Sequence, residues 1–426
     1  MNDGQQIRKG VPITSQWSSH WLWIPTLYLT RGLPYVILLM TSLVYYNRMG
    51  LSNGAITLTT SWFFLPFILR PLLGRIVVGY ESKRFWIVLT ECVMALSLVA
   101  SALSVRLDNW FSYSVAAFMV IAIAAALHDV AIERLYNREA LLLKRPAFFG
   151  LRAVSYLLSI IVGMAIPITL AGNLEVINRT VRPAWATLFW ALAVLMIALT
   201  LLHALILPKA VIRAKLPIWS GVTRQWWHDV TAAFIRRPHY VANLVFLFCF
   251  LIPEGMFIRV APLFLIDPGS NGGLALSPQE LGWVQGTVGT FAFIAGCGLG
   301  ISLVRRDGLQ RWLWPFVMTL TLPKFLFVYL SYYFVSTLSI INIIDYFGAG
   351  LGLTTYIVWL GFCTKGKHST FTYSLGTAIT AFSMVMSGWF TGFLQEYVGY
   401  RKFFLMVAVS GIISFIVAYF IPITKD

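Results

Sequence analysis

The chain has 426 residues, of which 58% are hydrophobic and only 11% charged, whereas a soluble domain carries roughly one quarter charged residues. That composition excludes a water-soluble globular protein, so the formal charge of +16 reads as loop topology rather than a nucleic-acid footprint. Cys92, Cys249, Cys297 and Cys363 lie far apart in apolar stretches with no CxxC or Cys/His cluster, which excludes a disulfide framework and a zinc site; no metal or other cofactor is expected.

In chain order, the segment up to Ser19 is polar and shows no cleavable signal, so the first span is expected to remain in place. Runs of about 20 apolar residues, the length that crosses a bilayer, fall at 21–46, 55–80, 85–106, 110–133, 147–172, 184–207, 240–266, 279–304, 313–335, 338–362, 369–394 and 402–423. The expected fold class is therefore all-α integral membrane, with twelve transmembrane helices. With the N-terminus inside, cytoplasmic segments hold about twenty Lys and Arg and the other side about six. This asymmetry places both termini in the cytoplasm. The longest loop is basic and carries Trp219, Trp226 and Trp227. It divides the chain into an N-terminal six-helix bundle at 1–207, a cytoplasmic linker at 208–239 and a C-terminal six-helix bundle at 240–426. A weak repeat supports the division: Met49-Gly-Leu-Ser52 precedes span two, and Leu274-Ala-Leu-Ser277 precedes span eight, where Ser277 and Glu280 make a capping-box pattern. Two six-helix halves joined by a cytoplasmic loop is the layout of the major facilitator fold, whose site lies at the midplane between the halves.

Charges inside the spans are the candidates for a solute pathway, because such residues face a cavity or each other. Tyr28, Arg31 and Tyr35 share one face of span one, beside Gly32 and Pro34, which loosen or kink a helix. Arg70 stands between Pro66 and Pro71; it is either a cavity cation or a partner for freed carbonyls or an acid. With Arg31 it would form an electropositive floor suited to a carboxylate or phosphate. His128 and Asp129 could relay protons, or Asp129 could hold a fixed contact with Arg152 or another cation. Glu254 lies between Pro253 and Gly255, an expected discontinuity; it is either a protonatable carboxylate or an ion-pair partner of Arg259, Lys324 or an arginine of the other half. Asp345 precedes a run of glycines that suits close helix packing better than phosphate binding. Thr370, Tyr373, Thr377 and Thr380 repeat at helical spacing and either line a pathway or bond the backbone. Arg306-Asp307, between spans eight and nine, looks like a gate latch; the equivalent first-half loop, Gly74 to Arg84, lacks the usual Asp.

Several stretches together carry a family resemblance: Gly32-Leu-Pro-Tyr35, Thr60-Ser-Trp-Phe-Phe-Leu-Pro66, His128-Asp-Val-Ala131, Phe148-Phe-Gly-Leu-Arg152, Arg236-Arg-Pro-His239, Arg306-Asp-Gly-Leu309 and Phe327-Val-Tyr-Leu-Ser331. From about Trp23 to Pro422 the chain resembles the AmpG-type muropeptide permeases of the major facilitator superfamily, which are related to acetyl-coenzyme A transporters. The resemblance implies proton-driven import of anionic anhydro-muropeptides for peptidoglycan recycling, in a bacterial inner membrane. On that reading Tyr28, Arg31, Tyr35, Arg70, Lys324 and Tyr373 bind solute, Asp129, Glu254 and Asp345 couple protons, and Arg306 and Asp307 gate. The resembling sequences usually carry acids where this one has Arg31 and Lys324, two changes expected to alter selectivity. The partners expected are an anionic solute, protons and lipid, with a monomer as the working unit and no nucleic acid. The competing readings are a transporter of another organic anion, such as an acyl-coenzyme A or siderophore-like molecule, an exporter, and a membrane sensor or partner protein. No His boxes or Ser/His/Asp arrangement point to an enzyme.

Overall fold

The computed structural model describes residues 13–79, 83–143, 146–208, 239–333, 338–364 and 369–421. Eleven continuous helical runs among them are long and apolar enough to cross a membrane. Ten are single spans: α1 (His20–Arg48), α2 (Asn53–Leu73), α3 (Lys83–Ser104), α4 (Trp110–Tyr136), α5 (Gly150–Asn178), α6 (Val181–Ile206), α7 (Tyr240–Ile266), α8 (Pro278–Asp307), α9 (Leu309–Tyr332) and α10 (Leu338–Cys363). The last, Thr372–Tyr419, has 48 residues, or about 72 Å at 1.5 Å per residue, more than twice the ~30 Å hydrocarbon core. It leaves helical geometry at Gly399, with φ 77° and ψ 163°, a conformation that glycine adopts without a Cβ clash. The run is therefore two spans, α11 (369–398) and α12 (400–419), and the twelve expected crossings are all present. Large apolar side chains such as Leu96, Val194, Leu205 and Phe420 are exposed, forming the rim that lipid covers. The linker expected at 208–239 lies outside the described residues apart from its two ends.

The helix boundaries differ from those expected where a single glycine makes the turn. Gly308, at φ 81°, ends α8 and opens α9, so the connection needs one residue and α9 starts at Leu309 rather than 313. The loop expected between 394 and 402 contracts to Gly399 alone. Proline acted as anticipated in two places. The second span breaks into Asn53–Trp62, Leu65–Ile68 and Arg70–Gly79 around Pro66 and Pro71. The seventh breaks between Tyr240–Cys249 and Ile252–Ile266, just ahead of Pro253 and Glu254. In α1 the helix passes through Pro34 and widens into a π turn at Ile37–Thr41. Two more π segments, Ile161–Ala165 in α5 and Gly282–Gly289 in α8, have no signature in the hydrophobic pattern.

The halves, α1–α6 and α7–α12, meet along two seams built of small residues. In the first, α2 packs on α11: a Cβ at Gly54 would strike Phe393, one at Gly392 would strike Asn53 and Thr57, and one at Gly388 would strike Ser61. In the second, α5 packs on α8, where Gly172 faces Gln279, Gly282 faces Thr169 and Gly286 faces the backbone of Ala165. Such close approach is how membrane helices gain packing energy without a hydrophobic drive.

At the end of the bundle carrying the 49–52 and 268–277 connections, directional bonds join the halves. Asn47 and Asn53 donate to Asp267 at 2.6 and 2.9 Å. Asn53 also reaches Gln395 and the Tyr400 hydroxyl, each at 2.8 Å, and Tyr400 donates to Asp267 at 2.5 Å. The Gly54 amide donates to Glu396 at 2.8 Å. Aromatic clusters back this latch on each side, Tyr45, Tyr46, Phe118 and Phe189 in one half and Phe257, Phe264, Phe327 and Phe404 in the other.

Candidate functional site

Two helices of the N-terminal half bring arginines to a third that supplies acids. The Arg31 Nε and the Arg70 guanidinium each pair with a different oxygen of Asp129. Glu133, one turn further along α4, lies 3.8 Å from Arg31 and 3.6 Å from Arg70. Two cations and two anions make a clamp of balanced charge in which Asp129 is held by both guanidiniums. Arg31 also lies over the Tyr28 ring at 5.4 Å. Arg152 sits over Tyr28 and Tyr136 at 5.7 and 4.8 Å, contacts worth ~0.5–2 kcal/mol each. Tyr35 stands edge-on to Phe64 and Phe67.

The C-terminal half holds a cluster with an excess of acid. Lys324 of α9 is buried between Asp345 of α10 at 2.6 Å and Glu254 of α7 at 3.0 Å, and its ammonium lies 3.8 Å from the Phe257 ring centre. One cation serves two carboxylates here.

Between these clusters sits Arg259 of α7, 1% exposed. Among the described residues it has no ion-pair partner. Its NH1 donates to the Gly255 carbonyl of its own helix at 3.0 Å, its Nε has no hydrogen-bond partner, and its guanidinium lies 5.9 Å from the Phe64 ring of the other half. Gly388 leaves it room, since a Cβ there would press on the guanidinium and on Ser61. The residue is about 10 Å along its helix from Ile266, at the seam of the halves.

No family model matches the chain. It is 22% identical over 403 residues, 90% of each chain, to an uncharacterized protein of Haemophilus influenzae. It is 21% identical over 399 residues to a candidate transporter of Rickettsia felis named AmpG 2, spanning 92% of this chain and 93% of the relative. Among solved structures, the D-xylose-proton symporter superposes with a TM-score of 0.72 at 12% identity, covering 96% of this chain and 99% of that one. The chain has the major facilitator fold and resembles AmpG-type transporters.

Within the major facilitator frame, the anticipated site residues fall into three groups. Arg31, Arg70 and Asp129 come together, with Tyr28 and Tyr35 beside them; both arginines are paired, so the electropositive floor expected of them is neutralised by Asp129 and Glu133. Of the alternatives left open for Arg70, an acid rather than a freed carbonyl takes it. Lys324, Glu254 and Asp345 also come together, on the facing half, and Glu254 pairs with Lys324 rather than Arg259. Arg306 and Asp307 lie at the far end of α8. Arg306 is exposed and 3.7 Å from Asp307, and Asp307, the last residue of α8, accepts from Trp312 in the first turn of α9 at 3.0 Å. Tyr373 is half-buried. Thr380 of the same series donates to the Leu247 carbonyl at 2.8 Å and accepts from Tyr356 at 2.7 Å, which is backbone bonding.

Sequence reasoning underrated Arg259, seen only as a partner for Glu254. Its signal was a cation seven residues inside a span that holds a single acid, Glu254. It also missed His203, Asn53, Asp267 and Tyr400. Polar side chains at the ends of spans look like ordinary loop residues until the fold brings them face to face.

Proposed function

We propose that the chain is a secondary active transporter of the bacterial cytoplasmic membrane that imports an anionic cell-wall fragment of the anhydro-muropeptide class with protons, by alternating access. Arg259 carries this reading. A lone guanidinium inside a membrane protein costs several kcal/mol, and a carboxylate from the solute would repay that cost with paired hydrogen bonds. Its place at the seam is where two rocking halves would hold a solute. Tyr28, Tyr35 and Tyr373 supply aromatic and hydroxyl surface for a sugar. Arg31, Arg70 and Lys324 supply further cations whenever an incoming carboxylate displaces Asp129 or Asp345, and a displaced carboxylate in a dry site takes up a proton, giving Asp129, Glu254 and Asp345 their coupling role. The latch at the Asp267 end is the closed gate; Arg306 and Asp307 belong to the opposite gate, on the cytoplasmic side with both termini. The linker at 208–239 joins the halves there, and the working unit is a monomer.

Uptake of a labelled anhydro-muropeptide into proteoliposomes, with and without an inward proton gradient, tests this. Gradient-stimulated uptake is expected, and its absence from folded protein would overturn it. A second reading, transport of another organic anion, draws support from Arg31 and Lys324 standing where resembling sequences carry acids. Competition by an acyl-coenzyme A or a siderophore-like anion, with none by muropeptide, would select it.

A further inference from the structure

One buried polar cluster has no part in the clamp, the lysine cluster or the latch. Glu91 of α3, His128 of α4 and His203 of α6 meet inside the N-terminal half, with side chains 0%, 1% and 0% exposed. Glu91 Oε1 lies 3.1 Å from His128 Nε2 and 2.7 Å from His203 Nδ1. His203 Nε2 lies 3.1 Å from the Thr26 hydroxyl of α1, and that hydroxyl lies 2.9 Å from the Leu22 carbonyl, to which it can donate.

Hydrogen-bond accounting then locates a proton. With the Thr26 hydrogen on Leu22, His203 Nε2 is the donor of that pair; with it turned to His203, Nε2 accepts and the Nδ1 hydrogen is donated to Glu91. In the first arrangement the Glu91–His203 contact has two descriptions. Either His203 also carries a proton on Nδ1 and is an imidazolium facing a carboxylate, or its Nδ1 is bare and Glu91 carries the proton. In both, one proton lies on that line. Two further atoms lack a partner: Glu91 Oε2 and His128 Nδ1 are buried with no hydrogen bond. When His128 donates from Nε2 to Glu91, its Nδ1 lone pair is bare, as is one on Glu91 Oε2, and either can take a second proton.

The charged neighbours are few. On α4, Asp129 follows His128 and acts on it electrostatically. On α3, Arg84 donates to the Ala204 carbonyl beside His203, and Lys83 lies one residue earlier. On α1, Arg31 lies five residues beyond Thr26 and pairs with Asp129. On α6, His203 itself is the titratable group.

We propose that Glu91, His128 and His203 form a proton-binding site whose occupancy is felt at the arginine clamp through Asp129. The rigid α4 backbone and the field of adjacent side chains link the two: a second proton on the cluster places positive charge beside Asp129 and competes with Arg31 and Arg70 for it. The use of this proton in transport rests on the function proposed above; its binding does not.

The test uses the full chain in detergent micelles with 15N-labelled histidine, its six histidines assigned by single His→Gln variants and titrated from about pH 5 to about pH 9, a range spanning the ordinary histidine transition. His128 and His203 are expected to change in one shared step that Glu91→Gln abolishes. Asp129→Asn leaves two guanidiniums facing Glu133 alone, an excess positive charge that repels the added proton and lowers the shared midpoint by roughly 0.5–1 pH unit; Arg31→Gln removes a cation and raises it by a similar amount. Opposite shifts from two variants of the same clamp would not arise from loosened packing. The proposal is overturned if both histidines hold one protonation state throughout, if their step survives Glu91→Gln, or if both clamp variants leave the midpoint unmoved. Loss of proton-stimulated uptake in wild-type protein that still shows the shared step would instead refute the transport reading and leave the site standing.

Discussion

Arg259 is a buried cation and the clamp arginines are half-buried ones, and their surroundings predict opposite responses to removal. Arg259→Met deletes an unpaired charge and fills the space with an apolar chain, so it should raise thermal stability by ~1–4 kcal/mol while cutting anion uptake at least about tenfold. A fall in melting temperature with uptake retained would mark Arg259 as structural. Arg70→Met removes one of two partners of Asp129 and should destabilise by ~3–5 kcal/mol. In a double-mutant cycle with Asp129→Asn the coupling should exceed ~1 kcal/mol, measured by thermal unfolding in detergent. At this scale the sequence was half legible. Charges at membrane depth announce themselves, because lipid makes them costly. Which charge meets which depends on helix rotation: His128 and Asp129 are neighbours in sequence but serve different clusters, since adjacent residues point about 100° apart on a helix.

Helices were the most legible level, because lipid demands long apolar runs and leaves no other backbone solution. What escaped was how little it takes to end one. Gly308 and Gly399 each do the work of a loop, and two of the π segments, Ile161–Ala165 and Gly282–Gly289, pack on each other across the halves. The seam helices make a contrast testable within one span. A Cβ on Gly286 would stand 2.6 Å from the Ala165 Cα, so Gly286→Leu should cost ~1–3 kcal/mol and arrest uptake. Gly298 on the same helix has nothing within 4 Å of its Cβ position, and Gly298→Leu should leave melting temperature and uptake unchanged. Equal effects from the two would dismiss the seam as a site of motion.

For the whole molecule, two-half topology was legible from span count and basic loops, whereas the closed end was not. Closure depends on Asn53, Asp267, Gln395 and Tyr400 converging from three separate stretches of chain. Tyr400→Phe removes two of its hydrogen bonds and Asp267→Asn removes the charge that gathers the rest. At ~1 kcal/mol per bond, each variant should shift the population toward an opened end by about fivefold or more. Spin labels at Gly50→Cys and Asn271→Cys, in a background lacking the four native cysteines, would report it as a longer distance component. An unchanged distribution would mean the closed end is held elsewhere.

The pairing of glycine seams with a hydrogen-bonded end has a kinetic consequence. Van der Waals contact along a small-residue seam varies smoothly with tilt, whereas a cluster of directional bonds is either made or lost. A molecule built this way has two resting postures with a sharp crossing between them. Single-molecule fluorescence from the same two positions should step between two levels, without dwelling in between. Each latch bond removed should shorten the closed dwell, while the opening stroke itself keeps its amplitude.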